Sequence, residues 1–195
     1  MNNKDKLPLF ILAGGLSSRF GSDKARIQIQ DKNILQIITS TFSPYISSTT
    51  VIADKPDKYS DLKLQTIIDS KPGYRGPLAG LLTAAEHTSK KNDHCWFMLT
   101  SCDTINISPK WIKQLLAMRS STYQAIVFRD DRYQPFPGIY HSNIAKPASE
   151  TLNTKQASMQ NFLANINIKT LPVPKNWKQM IQINTQNDLD QAKIF

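Results

Sequence analysis

Residues Leu7–Ala13 read Leu-Pro-Leu-Phe-Ile-Leu-Ala, a run without a polar position that stops against the paired glycines Gly14 and Gly15. A strand on a sheet face open to water alternates apolar and polar side chains. A run that is apolar throughout must be covered on both faces, as strands in the middle of a parallel sheet are. It is too short to cross a membrane as a helix, and no small-residue cleavage pattern follows it. A chain built on it needs helices above and below a sheet, with a glycine loop at the strand's carboxyl end.

The rest of the sequence supplies those layers. Helical periodicity over Asn33–Phe42 and a β-branched run at Thr49–Asp54 complete a first β-α-β unit. The pattern repeats with a strand at Leu64–Asp69, an Ala/Leu-rich helix at Gly76–Thr88 and a buried strand at Cys95–Asp103. Ser108 followed by Pro109 predicts a helix start, and Gln124–Arg129 predicts a strand. Residues Gln134–His141 contain two prolines and suit an edge or irregular strand. Helices are expected near Asn143–Leu152 and Ser158–Asn165, then a strand at Met180–Asn184. Thr185 with Asp188 three residues on resembles a capping box for a last helix ending near Ile194. The expected class is α/β, a Rossmann-like three-layer sandwich with a mainly parallel central sheet, and the 195 residues fit one domain spanning positions 1–195.

In such sheets ligands sit beyond the carboxyl ends of the strands. That rule lines up the loop at Gly14 with Asp54, Asp69 and Asp103, each of which ends a predicted strand. The loop fits neither the dinucleotide fingerprint G-x-G-x-x-G nor the Walker A pattern, since five residues separate Gly15 from Gly21 and Lys24 follows three places later. What it shares with both is backbone N–H groups bared by glycine, with Arg19 and Lys24 adding positive charge for a phosphate. The competing reading is a plain glycine turn with two solvated cations.

Lys and Arg number 24 against 15 Asp and Glu, a formal charge of +9 that favours polyanionic ligands, although solvated surface lysines account for it equally well. No recognised motif or aromatic-basic interleaving accompanies the charge, so no specific nucleic-acid partner is expected. Cys95 and Cys102 match neither a redox pair nor a zinc site, and His87, His94 and His141 lack metal-ligand spacing. A reducing cytoplasm, without membrane attachment, is the expected home.

Leu12-Ala13-Gly14-Gly15, then Ser17, Arg19, Gly21, Asp23 and Lys24, resemble the L-A-G-G-x-S-x-R-M-G-x-D-K signature of nucleotidyltransferases, and within them of the molybdenum cofactor guanylyltransferase family. Phe20 replaces the usual methionine. Asp69 before Gly76–Leu81, Cys102-Asp103-Thr104 and Ile183–Leu189 extend the likeness along nearly the whole chain. Two departures stand out. Ala53-Asp54 occupies the place of a usual Asn, and Gln182, Gln186 and Asn187 replace Asn, Pro and Glu in N-x-N-T-P-E-[DE]-L, with Asn184 retained.

The resemblance implies transfer of GMP from GTP to the terminal phosphate of molybdopterin, giving a guanine dinucleotide cofactor and pyrophosphate. The attacking oxygen is already anionic, so positioning and charge neutralisation are the catalytic problem. Asp103 is the implied Mg²⁺ ligand; an Asp that merely caps the turn before Ser108 is the plain alternative. Lys24 would stabilise the α-phosphate and Arg19 the leaving pyrophosphate. Gly14 and Gly15 would donate backbone N–H groups, with Leu12 and Ala13 beside the base and Asp54 at the nucleotide. Asp69 would accept from guanine N1–H and its 2-amino group, and Gly76 would open a helix whose N-terminus faces the crevice. For the acceptor, Lys155, Ser158, Gln182 and Asn184 are candidates, with a solvated helix start the equal alternative for Lys155 and Ser158. Partners implied are GTP, molybdopterin or molybdenum cofactor, and a cofactor-delivery protein or apo-molybdoenzyme. The rival readings are cytidylyl transfer to molybdopterin, sugar-phosphate nucleotidyl transfer, and a non-catalytic nucleotide-binding protein.

Overall fold

A computed structural model describes residues 6–14, 23–70, 76–91 and 96–192. Within them the strands are β1 Leu7–Leu12, β2 Gln28–Ile29, β3 Lys32–Asn33, β4 Ile46–Ala53, β5 Gln65–Ile68, β6 Trp96–Ser101, β7 Thr104–Ile105, β8 Ala125–Arg129, β9 Tyr133–His141, β10 Ile168–Pro172 and β11 Ile181–Gln182. The helices are α1 Ile34–Phe42, α2 Pro77–Lys91, α3 Pro109–Ala117, α4 Ala145–Leu152, α5 Met159–Ala164 and α6 Gln186–Ala192. Seven strands form one sheet in the order β10-β8-β9-β6-β1-β4-β5, parallel except for β9. The mainly parallel α/β architecture expected from the sequence is therefore present.

β1 is flanked by β4 and β6, and its continuous apolar run serves two cores at once. Leu9 and Ile11 join Ile34, Ile38 and Phe42 of α1 and Trp111 and Leu115 of α3 on one face. Phe10, between them, joins Leu78, Leu82 and Ala85 of α2, Leu152 of α4 and Phe162 of α5 on the other. Each such side chain removed from water contributes roughly 1.5–3 kcal/mol, so the alternation of β1 alone ties both helical layers to the sheet.

Local chemistry starts the helices. The Asn33 side chain accepts from Gln36 N at 2.9 Å while Gln36 Oε1 accepts from Asn33 N at 3.0 Å, a reciprocal cap for α1. At α3, Ser108 occupies the cap position but its side chain makes no cap bond; Pro109, whose φ is preset for a helix, opens it. α6 begins with the expected box, Asp188 N donating to Thr185 Oγ1 at 3.2 Å and Thr185 N to Asp188 Oδ2 at 2.7 Å.

Of the two expectations for Gln134–His141, an edge strand or an irregular one, the second holds. The proline-containing segment does not run at an edge: β9 lies inside the sheet, between β6 and β8. Its ladder with β6 uses Gly138–His141, and its ladder with β8 shifts register between Ile126 and Phe128. Pro135 and Pro137 fall outside both ladders, so their missing N–H groups cost no pairing. The Pro135 carbonyl instead accepts from the buried Tyr140 hydroxyl at 2.8 Å. A Cβ on Gly138 would stand 2.6 Å from that carbonyl oxygen and 2.7 Å from the Tyr140 ring. Gly138→Ala is expected to lower the unfolding free energy by about 1–3 kcal/mol in urea denaturation; an unchanged midpoint would contradict this packing.

Candidate active site

The register of the sheet brings four chain exits to one edge. Leu12 lies beside Ile52 and Ser101, and Ala53 lies beside Ile68. Ala13 N donates to Ile52 O at 2.8 Å and Cys102 N to Leu12 O at 3.0 Å, carrying the ladders past the strand ends. Ala13–Gly14, Asp54, Asp69 and Asp103 therefore all leave the sheet at its carboxyl edge, as expected. From β1 the chain moves to β4 by way of α1 on one face, and from β5 it returns to β6 by way of α2 on the other. The topological switch point, where such sheets bind ligands, lies between the ends of β1 and β6.

Three expected residues meet there. Lys24 Nζ donates to Asn184 Oδ1 at 3.1 Å across 160 positions of sequence. Asn184 is brought in by the short antiparallel pair of β7 and β11, and by Ile183 N donating to the backbone oxygen of Asp103 at 2.8 Å. Thr104 Oγ1 donates to Asp103 Oδ1 at 3.0 Å, orienting the carboxylate. Asp103 is half-buried, whereas Asn184 and Gln182 are exposed. Gln182 lines a recess of about 300 Å³ with Lys178, Asp188 and Gln191. The Cys102 thiol behind Asp103 is pushed up to about 12 by burial and then by the neighbouring carboxylate, which leaves it protonated and unreactive.

Sequence reasoning missed the cluster that fastens the turn bearing Lys24. Asp23 caps the short turn Lys24–Arg26 by accepting from Ala25 N at 3.2 Å, and the fully buried Tyr59 donates its hydroxyl to the same carboxylate at 3.0 and 3.1 Å from its two oxygens. Lys58 bridges Asp23 at 3.4 Å and Asp54 at 2.8 Å. Arg26 grips Asp61 with two bonds of 2.7 and 2.8 Å and donates to the Lys58 carbonyl at 2.6 Å. The signal was the charged, aromatic run Lys55–Leu62 after the second strand, which reads from sequence only as a boundary. Asp54 is thereby engaged: the bond from Lys58 holds its carboxyl below the ordinary range.

Asp69 is tied to α2, its Oδ1 accepting from Thr83 Oγ1 at 3.0 Å. Gly76, just before α2, has φ +137°, a conformation glycine adopts readily. A Cβ at Gly80 would stand 2.5 Å from Leu12 Cδ2, so Gly80 allows α2 to lie against the end of β1. Around Gly14 a Cβ would make only ordinary contact, 3.8 Å from Ala53, so packing among the described residues does not demand glycine there. Lys155 and Ser158 are exposed, in the connection between α4 and α5. The Ser158 hydroxyl accepts from Asn161 N at 3.1 Å as the cap of α5. Gly15 and Arg19 lie outside the described residues, with Ser17, Phe20, Gly21, His94, Cys95 and Ile194.

The MobA-like NTP transferase domain matches residues 9–170. The chain belongs to this family. A probable molybdenum cofactor guanylyltransferase of Bacillus cytotoxicus is 31% identical to the transferase over 188 residues, covering 91% of this chain and 92% of that protein. One of Bacillus mycoides is 29% identical over 191 residues, covering 94% of each. Molybdopterin-guanine dinucleotide biosynthesis protein A from Archaeoglobus fulgidus has the same fold, with a TM-score of 0.78, 20% identity, and 96% of this chain and 97% of that chain covered. CMP:2-keto-3-deoxy-manno-octonic acid synthetase superposes with a TM-score of 0.71 at 16% identity, covering 97% of each chain. The protein is a nucleotidyltransferase, and none of its described helices is long and apolar enough to cross a membrane.

Among the described residues of the transferase no group of three or more His, Cys, Asp or Glu side chains could hold a metal by itself. A half-buried carboxylate at a strand end suits Mg²⁺, which takes one or two carboxylates and completes its shell with water and phosphates. The docked carboxy-terminal motif has its own pH dependence. Asp188 is held below the ordinary carboxyl value by the backbone N–H of Asn184 first and by the Thr185 hydroxyl second. A depressed folded pKa makes this stabilisation present above the unfolded value of 3.8 and lost as pH falls through the folded value. Hydrogen exchange corrected for intrinsic rate is expected to show the Asn184 and Thr185 amides protected at pH 6 and still at 3.8, with protection lost only as pH falls through the depressed folded value. Protection unchanged in acid would contradict the cap.

Proposed function

We propose that the transferase moves GMP from GTP to the terminal phosphate of molybdopterin, or molybdenum cofactor, and releases pyrophosphate. The observation that carries this reading is the meeting of Lys24 and Asn184 beside Asp103 at the switch point, from three distant parts of the sequence. The naming of the relatives as probable molybdenum cofactor guanylyltransferases supports the choice of substrates.

An oxygen of the acceptor phosphate attacks the α-phosphorus, and the bond from that phosphorus to the oxygen bridging to the β-phosphate breaks. Asp103 would hold Mg²⁺, whose chemistry is to draw charge from the phosphates. Lys24 Nζ, fixed by Asn184, supplies a donor and a positive charge where charge accumulates on the α-phosphoryl oxygens. Backbone N–H groups of Gly14 and Gly15 cradle the phosphates, and Arg19 receives the leaving pyrophosphate. Leu12 and Ala13 border the base, and Asp69, steadied by Thr83, accepts from the N1–H and 2-amino group of guanine, a donor pair adenine lacks. Gly76 opens the α2 side of the crevice, and Asp54 faces the nucleotide from the end of β4. Asn184 and Gln182, the latter with its recess, take the acceptor side. Lys155 offers a charge to an acceptor phosphate, and Ser158, whose oxygen accepts from Asn161 N, keeps its O–H to donate beside it.

Purified transferase supplied with molybdopterin, Mg²⁺ and one nucleoside triphosphate at a time is expected to release pyrophosphate with GTP and to form the guanine dinucleotide. Asp103→Ala should reduce transfer by about a thousandfold or more while the circular dichroism spectrum is retained. A preference for CTP or a sugar phosphate would overturn the substrate assignment, and full activity of Asp103→Ala would overturn the metal assignment.

A further inference from the structure

Tyr59 has no exposed surface, yet its hydroxyl reaches out of its own connector to Asp23, next to Lys24. Its backbone oxygen accepts from Leu62 N at 3.1 Å and Leu64 N at 3.2 Å, which roots it in the connector between β4 and β5. Its hydroxyl spans to the Asp23 carboxylate 36 positions away. Burial first, and the Asp23 charge second, hold that hydroxyl well above the ordinary tyrosine range, so it stays a donor at every working pH. The ring has two cationic neighbours within reach of its π-system, Arg26 at 5.3 Å and Lys58 at 5.6 Å from the ring centre. Lys24 therefore leaves the chain between two fixed points: Asp23, gripped by Tyr59 and Lys58, and Ala25, with no exposed surface.

We propose that Tyr59 is a positioning residue for Lys24, acting through the Asp23 carboxylate to fix where the lysine amine reaches the switch point. This rests on the reading above that Lys24 serves the transferred phosphoryl group. Tyr59 touches neither substrate nor reacting atoms, so it sets rate through the aim of Lys24. Misplacement of such a group by about an ångström is worth roughly a hundredfold in rate.

The test compares Tyr59→Phe with the unaltered transferase, each also in a Lys24→Ala background, with ¹³C-lysine labelling to follow the Lys24 ε-methylene signal, assigned by its loss in Lys24→Ala. Tyr59→Phe is expected to lower kcat roughly tenfold to a hundredfold with KM for GTP nearly unchanged. It should shift or broaden the Lys24 signal and have no further effect once Lys24 is alanine. An equal fold-loss in both backgrounds, or an unmoved Lys24 signal, overturns the proposal. If Tyr59→Phe fails to fold, Asp23→Asn, which keeps the shape of the acceptor, should move the same signal. If the unaltered protein transfers no nucleotide, the proposed function fails while the Lys24 signal still decides the positioning.

Discussion

Burial of β1 on both faces is the constraint on which the other elements depend. Leu9 and Ile11 face one core and Phe10 the other, so helices must cover the sheet twice, and the chain must leave β1 in one direction and return on its other side. That reversal creates the crevice at the carboxyl ends of β1 and β6. The site is thus a by-product of how an apolar strand is hidden from water.

The crevice becomes a place for charge chemistry because polar groups converge on it from segments the sheet cannot hold by itself. The carboxy-terminal motif is carried there by two short pairs, Ile181 with Ile105 and Gln182 with Thr104, and by the bond from Ile183 N to Asp103 O. Buried Ile183 anchors the segment while exposed Asn184 meets Lys24. On the opposite flank, Asp23 and Tyr59 fasten the connector after β4 to the turn that bears Lys24. The residue before Lys24 is fastened through its carboxylate, and the lysine amine is met by the Asn184 amide oxygen. The lysine's charge is therefore placed in space and not merely present on the surface.

Much of this was legible in the sequence because it rests on local pattern. Unbroken apolar runs marked β1 and β6, and the glycine loop marked the edge of the sheet where Asp54, Asp69 and Asp103 end their strands. The interior position of β9 was not legible, since prolines argue for an edge and only the register shift opposite Ile126 and Phe128 shows how they are accommodated. The Tyr59 cluster was hidden for a different reason: Arg26, Lys58 and Asp61 look like solvated charges, and nothing local says that a tyrosine among them is buried. Ser158 shows how two roles overlap in sequence: its oxygen accepts from Asn161 N as the cap of α5, while its O–H is still a donor.

We propose that the loop after β1, with Lys24 and Asp103, holds the phosphates of GTP. Thermal unfolding of the protein with GTP, CTP, ATP or UTP, each with and without Mg²⁺, tests it most directly. A nucleotide at a hundred times its dissociation constant adds about 2.7 kcal/mol of stability, which a melting curve resolves. The expected result is a clear rise in melting temperature with GTP and Mg²⁺ that exceeds every other combination. A larger rise with another nucleotide, or none with GTP, would mean that this site does not hold GTP.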